Sequence, residues 1–227
     1  MIKVQFYFHH QFIGFNDDNQ PIVQYQQKKI TLEADHYVFA LGGASWSVTG
    51  SDGYWLSAFK KIGVPTLPFQ SSNCGINIKW KENFISKYEG TPLKNIEISI
   101  RNFKRKGEAV ITKYGLEGNV IYPAIPTIRE DLNSSIKPFI TIDLKPNNTY
   151  EDLLKKATKR TILPKNYKYI FNLNKAELAL VKHSIDKNTY LNPALFAQNV
   201  KQISIPIHSL RPLEEAISTV GGIAIEA

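Results

Sequence analysis

The residue types with a chemical use in view are concentrated in residues 38–63. An apolar run at 37–41 is stopped by Gly42 and Gly43, and Thr49, Gly50, Ser51, Asp52 and Gly53 follow closely. Paired glycines let the chain turn sharply and let a ligand approach the backbone. Amides freed at the start of a helix suit a phosphate. A tight turn with no ligand is the plainer reading of the same glycines. A second cluster, Thr219, Gly221 and Gly222, lies near the end of the chain. Asp52 fits either a helix cap or a hydrogen bond to a ligand, and Trp46 fits either a ligand contact or an ordinary core position.

Other chemistries find little support. There is no Gly-x-Ser-x-Gly elbow, His-Glu-x-x-His, Cys-x-x-Cys or EF-hand spacing. His9 and His10 are adjacent, so on a strand they point to opposite faces and do not converge on one ion. His36, His183 and His208 are isolated and read as surface or packing residues. Cys74 reads as a small buried hydrophobe, with a redox role as the alternative.

The elements that must position the glycine clusters are legible in outline. Residues 37–41 read as a strand buried on both faces of a parallel sheet. Residues 49–53 open a helix whose stripe is Trp55, Ala58, Phe59 and Ile62, closed by Gly63 and Pro65. Residues 2–33 read as a β-meander with Val4, Phe6 and Phe8 on one face and a turn at 17–21. Residues 64–73 read as a linker. Beyond it, 76–80, 96–100, 108–113 and 139–144 read as short strands of a small antiparallel sheet or barrel. Residues 149–200 switch to helical period, with capping signals at Thr149/Asp152, Asn174/Glu177 and Asn192-Pro193. Ile203, Ile205 and Ile207 then alternate again.

The stretch with 42–53, together with Asn73-Cys74-Gly75, Gly115-Leu116-Glu117-Gly118 and Val220-Gly221-Gly222, resembles the BaiN-type NAD(P)/FAD-dependent oxidoreductases. These are bacterial flavoproteins with two insertions in the FAD domain, and the resemblance runs over nearly the whole chain. It implies an α/β, overall α+β, fold: part of a Rossmann-like FAD domain carrying a β-barrel-like insertion and a small helical insertion. The implied FAD contacts are Gly42, Gly43, Thr49, Gly50, Ser51, Asp52, Gly53, Thr219, Gly221 and Gly222. A short helix is implied at 115–118. The implied boundaries are 1–70 with 212–227 for the FAD domain, 71–148 with 201–211 for the β-rich insertion, and 149–200 for the helical one. The family's opening Gly-x-Gly-x-x-Gly turn and its closing FAD segment are absent from the sequence. The expectation is therefore an incomplete chain that neither holds FAD tightly nor transfers hydride alone. FAD is the implied cofactor of the complete protein, with NAD(P)H as a possible donor; the substrate and the catalytic residues are not readable.

Size and composition are compatible with this reading. A chain of 227 residues with 43% hydrophobic content can bury a substantial core or divide into small domains. No apolar run is long enough to span a bilayer, and one cysteine excludes an internal disulfide framework and fits a reducing cytoplasm. The net charge of +8 raises a rival from another class, a basic RNA-binding or interaction module. Its lysines are scattered, however, and the densest group (Lys155, Lys156, Lys159, Arg160) suits the end of a helix. A third reading is an inactive remnant.

Overall fold

An apolar run becomes a strand only where another strand reaches its backbone amides and carbonyls. The computed structural model describes residues 3–158 and 162–225, and its sheets are assembled from distant parts of the chain. In chain order, β1 (Gln11–Phe15), β2 (Pro21–Tyr25) and β3 (Lys28–Thr31) precede α1 (Trp55–Lys61) and β4 (Thr66–Asn73). There follow β5 (Ile76–Asn77), α2 (Glu82–Tyr88), β6 (Pro92–Ile100), β7 (Phe103–Thr112), β8 (Gly115–Glu117), α3 (Ile125–Asn133) and β9 (Phe139–Asp143). Helices α4 (Tyr150–Thr158), α5 (Tyr167–Ile170), α6 (Lys175–Ser184), α7 (Lys187–Leu191) and α8 (Pro193–Lys201) lead to β10 (Ile203–Pro206), β11 (Ser209–Leu210) and β12 (Ser218–Ile223). The fold is α+β. It divides into two units, Met1–Ser71 with Pro212–Ala227, and Ser72–Arg211.

The first unit holds the antiparallel meander β1-β2-β3 and the helix α1. Phe12, Phe15, Phe39 and Phe59 form its aromatic centre, with edge-on rings 5.0–5.5 Å apart for the pairs Phe15–Phe59, Phe39–Phe59 and Phe12–Phe39. Such pairs add about 0.5–1.5 kcal/mol each beyond burial. The meander begins at Gln11, so the strand expected to carry Val4, Phe6 and Phe8 is not formed, and those side chains are exposed. The expected buried strand at 37–41 is not formed either. No strand among the described residues pairs with it, and Val38 is 93% exposed. The expected linker at 64–73 is instead β4, which pairs with β12. Pro68 within it is tolerated because a two-stranded ribbon consists of edges.

In the second unit the ladders run β10-β9-β6-β7-β8-β5-β11. The sheet is not closed by its own ladders, so it is no closed barrel. One segment nevertheless serves both ends: β10 pairs with β9, and β11, three residues on, pairs with β5. Ile96, Ile98, Ile140, Ile142, Ile203, Ile205 and Ile207 are buried, as their alternation requires. Of residues 115–118, where a helix was expected to start, Gly115–Glu117 form β8 instead. A side chain at Gly115 would run into the carbonyl of Ile76 on β5, so the glycine permits this close pairing. Helices α2 and α3 are additional to the expected elements, and α5 and α7 add two short helices, with no helix of their own expected there, inside the stretch 149–200 that reads as helical.

The expected caps are formed. Thr149 and Asp152 exchange backbone-to-side-chain hydrogen bonds of 3.1 Å at the start of α4. Asn174 and Glu177 form a full capping box on α6, and the Asn192 side chain accepts from Ala194 and Leu195 ahead of Pro193. Glu177 is buried and also meets Lys145 Nζ at 3.1 Å. Tyr167, Phe171 and Phe196 fill the helical core, with the Tyr167 and Phe196 rings 4.1 Å apart. Lys155 and Lys156 sit in the last turn of α4 as expected; Lys159 and Arg160 lie outside the described residues.

Candidate functional site

The glycine clusters at 42–53 and 218–222, both in the first unit, are brought together by two tryptophans. Trp46 stands in the left-handed region at φ 60°, and its amide donates to Glu214 O at 3.3 Å. Its indole donates to Ala216 O at 3.1 Å, which fixes the 212–216 segment against the loop. Trp55, on the first turn of α1, donates its indole N–H to Gly42 O at 3.1 Å. A partly buried indole needs such an acceptor. Trp46 is still 54% exposed, so it is not an ordinary core tryptophan.

Between these anchors the backbones approach closely. A Cβ on Gly43 would lie 2.5 Å from Thr219 Oγ1 and 3.8 Å from Ser51 Oγ, and one on Gly42 would lie 3.5 Å from Ser51 Oγ. Gly42, Gly43, Ser51 and Thr219 therefore form one cluster. Gly53, at φ +68°, is held by Ala44 and by Phe69 of β4. Gly221, at φ +103°, lies against the Pro68 carbonyl, and Gly222 faces Trp55 and Phe69 at ordinary contact distance.

Three members of the expected set are engaged otherwise. Thr49 Oγ1 donates to Trp46 O at 2.8 Å, and Gly50 terminates the short 3-10 turn Ser47–Thr49. Asp52 accepts from the amide of Tyr54 at 3.1 Å and so sets the entry to α1, which starts at Trp55 rather than at 49–53. The downstream part of that helix is as expected: Ala58 and Phe59 are buried and Gly63 follows the end at φ +81°.

The backbone donors left over are the chemically informative part. Among the described residues, no amide of 42–45 or 51–53 donates a hydrogen bond. Two groups of unspent N–H donors thus belong to the segments that carry Gly42, Gly43 and Ser51, where the absence of a side chain at Gly43 lets the Thr219 hydroxyl come close. Such donors can take a flat or anionic group at hydrogen-bond distance. Trp55 and Phe69 were not expected in the site. Trp55 reads locally as one position of an apolar stripe, and Phe69 lay in the supposed linker.

The remaining sequence candidates lie elsewhere. His10 stacks on Tyr25 at 4.6 Å in the meander, and no group of three or more His, Cys, Asp or Glu that could hold a metal occurs among the described residues. Cys74 is buried, 1% exposed. His183 packs against Trp80 and Phe84, with ring centroids 5.5 and 5.1 Å away, and burial holds its imidazole below the ordinary pKa. Among the described residues no helix is long and apolar enough to cross a membrane.

Comparison with known proteins adds one match. A family model described as the HI0933-like protein barrel and H2TH domain matches residues 70–218, about two thirds of the chain. No curated protein matches it.

Proposed function

The chain belongs to the HI0933-like flavoprotein family, and from that premise we propose that residues 42–53 and 218–222 line an FAD site of an oxidoreductase. When bound, FAD would supply the redox chemistry, carrying a hydride from a nicotinamide, NADH or NADPH, to an organic substrate. The observation that carries this reading is the approach of Gly43 to Thr219 beside amides that donate to no described residue.

The chain's own residues bind and orient. The amides of 42–45 and 51–53, with the Ser51 and Thr219 hydroxyls, offer donors to the cofactor's phosphates or carbonyls. Gly42 and Gly43 keep the approach open, Trp55 fixes the Gly42 carbonyl, and Trp46 holds the second segment against the first. The single cysteine favours a reducing compartment, and we assign the protein to the cytoplasm on that ground.

The rival reading, a basic RNA-binding module, calls for aromatics aligned with lysines on one sheet face. The exposed aromatics of the second unit, Tyr114, Phe139 and Tyr169, lie on separate elements, which favours the flavoprotein.

The test is FAD titration followed by amide NMR on the whole chain. Shifts at Gly42, Gly43, Ser51, Thr219 and Gly221, lost in Gly43→Val, are expected. Shifts scattered over the second unit, or an unchanged response in the variant, would defeat the proposal.

A further inference from the structure

We propose that a cleft in the second unit, between β10, the end of α3 and the end of α6, binds a small amphipathic organic anion: an apolar skeleton carrying one carboxylate. The proposal is independent of the flavin reading and uses none of its residues. The cleft has a volume of about 650 Å³, within the range of ~300–1,000 Å³ common for small-molecule sites.

Its floor is apolar. Ile78, Ile205 and Ile207 line it while remaining less than a tenth exposed, and Leu132 and Pro138 extend the same surface. Its rim is basic. Lys79 follows β5, Lys137 follows α3, His183 ends α6 and His208 follows β10, so four separate elements each bring one nitrogen base. No Asp or Glu lines the cleft. The acids on α3 are already engaged, since Arg101 pairs with both Glu130 and Asp131. Neither Lys79 nor Lys137 forms an ion pair with a described residue.

The two kinds of lining select a ligand class. A purely ionic ligand would leave the isoleucine floor uncovered, and a neutral apolar one would meet no charge partner. An amphipathic anion covers the floor and sets its acid against the lysines. Ser184 and Ser204 belong to the same lining, and the Ser184 hydroxyl donates to Leu180 O at 2.9 Å. His183 contributes packing rather than charge. Its ring is held by Trp80 and Phe84, and its buried Nδ1 has no hydrogen-bond partner among the described residues. The His208 backbone is fixed, because its amide donates to Asn77 O at 2.8 Å.

Decanoate is the probe, with acetate as the charge without the skeleton and 1-decanol as the skeleton without the charge. Calorimetry and amide NMR on the whole chain are expected to show saturable decanoate binding, with shifts at Ser184, Ser204, Ile205 and Ile207, and much weaker binding of both controls. The double variant Lys79→Ala/Lys137→Ala should bind about tenfold more weakly, the size two partly screened charge contacts supply. Ser204→Trp should abolish binding by filling the cleft. Ser204 is exposed on β10, so this variant keeps the ladder to Thr141 and both lysines. Absence of decanoate binding, equal binding by both variants, 1-decanol binding as well as decanoate, or shifts confined to Phe6, Phe8 and Val38 of the first unit would overturn the proposal.

Discussion

Adjacent residues Ile207 and His208 donate their amides to opposite ends of one sheet: Ile207 to Pro138 O at 2.9 Å, and His208 to Asn77 O at 2.8 Å. The segment from β10 to β11 thereby draws the β9 end and the β5 end of a seven-stranded sheet together without a closing ladder. His208→Pro removes one of these donors and restricts Ile207 as well. We expect a loss on the order of 1–3 kcal/mol in chemical denaturation. Hydrogen exchange should accelerate at Leu210 while β9 keeps its protection; equal loss at both ends would contradict this arrangement.

The glycine cluster predicts a ranking. Gly221→Ala would force a side chain onto the Pro68 carbonyl at a φ of +103°, and backbone cannot rotate away. Gly43→Ala meets the Thr219 hydroxyl, which can rotate. Gly221→Ala should therefore cost at least ~2 kcal/mol and Gly43→Ala about 1 kcal/mol. In a Thr219→Ala background the Gly43→Ala cost should largely vanish. Denaturation midpoints in the reverse order would refute the geometry.

Arg101 stands at the turn between β6 and β7 and reaches α3. Asp131 is buried while Glu130 is exposed, so the two pairings differ in weight. Arg101→Ala strands a buried carboxylate and should destabilise the second unit by roughly 3 kcal/mol. Glu130→Ala should cost less than about 1 kcal/mol. Adding Asp131→Ala to Arg101→Ala should recover part of the loss in a double-mutant cycle.

Tyr167 is fully buried in the helical core, and its hydroxyl has no hydrogen-bond partner among the described residues; burial raises its pKa. Tyr167→Phe removes a desolvated polar group and keeps the ring contacts with Phe171 and Phe196. The variant should be more stable by about 1 kcal/mol. A lower melting temperature would show that the hydroxyl is satisfied in solution.

His183 sets a pH dependence. Burial, with Lys81 adding to it, holds its imidazole below the ordinary 6.5. As pH falls, the unfolded chain takes up the proton first, so stability present in full above about 6.5 declines as the pH drops toward the folded value. His183→Phe should flatten the denaturation midpoint between about pH 5 and 7. An unchanged slope would remove His183 as the cause.

How much was legible follows from where each signal resides. The caps at Thr149/Asp152, Asn174/Glu177 and Asn192-Pro193 were readable because donor and acceptor lie within three residues of each other. The buried alternation of Ile96 and Ile98, and of Ile203, Ile205 and Ile207, was readable because a strand's two faces differ by composition alone. The run at 37–41 has the composition of a central strand, yet Val38 is exposed, because composition cannot supply a neighbour.

The sequence by itself therefore determined the capped helices, the inward isoleucines and the clustering of glycines around 42–53. Tertiary structure alone decided that Thr66–Asn73 is a strand, since its partner is β12, and that Gly115–Glu117 is a strand, since Gly115 lets β5 come close. It also decided the candidate site. Trp46 reaches Ala216 across 170 positions of chain, and that contact, with the pairing of β12 on β4, sets Gly43 beside Thr219. Local propensity is a property of a few neighbouring residues, whereas pairing and close approach belong to two segments at once, and no single window of sequence contains both.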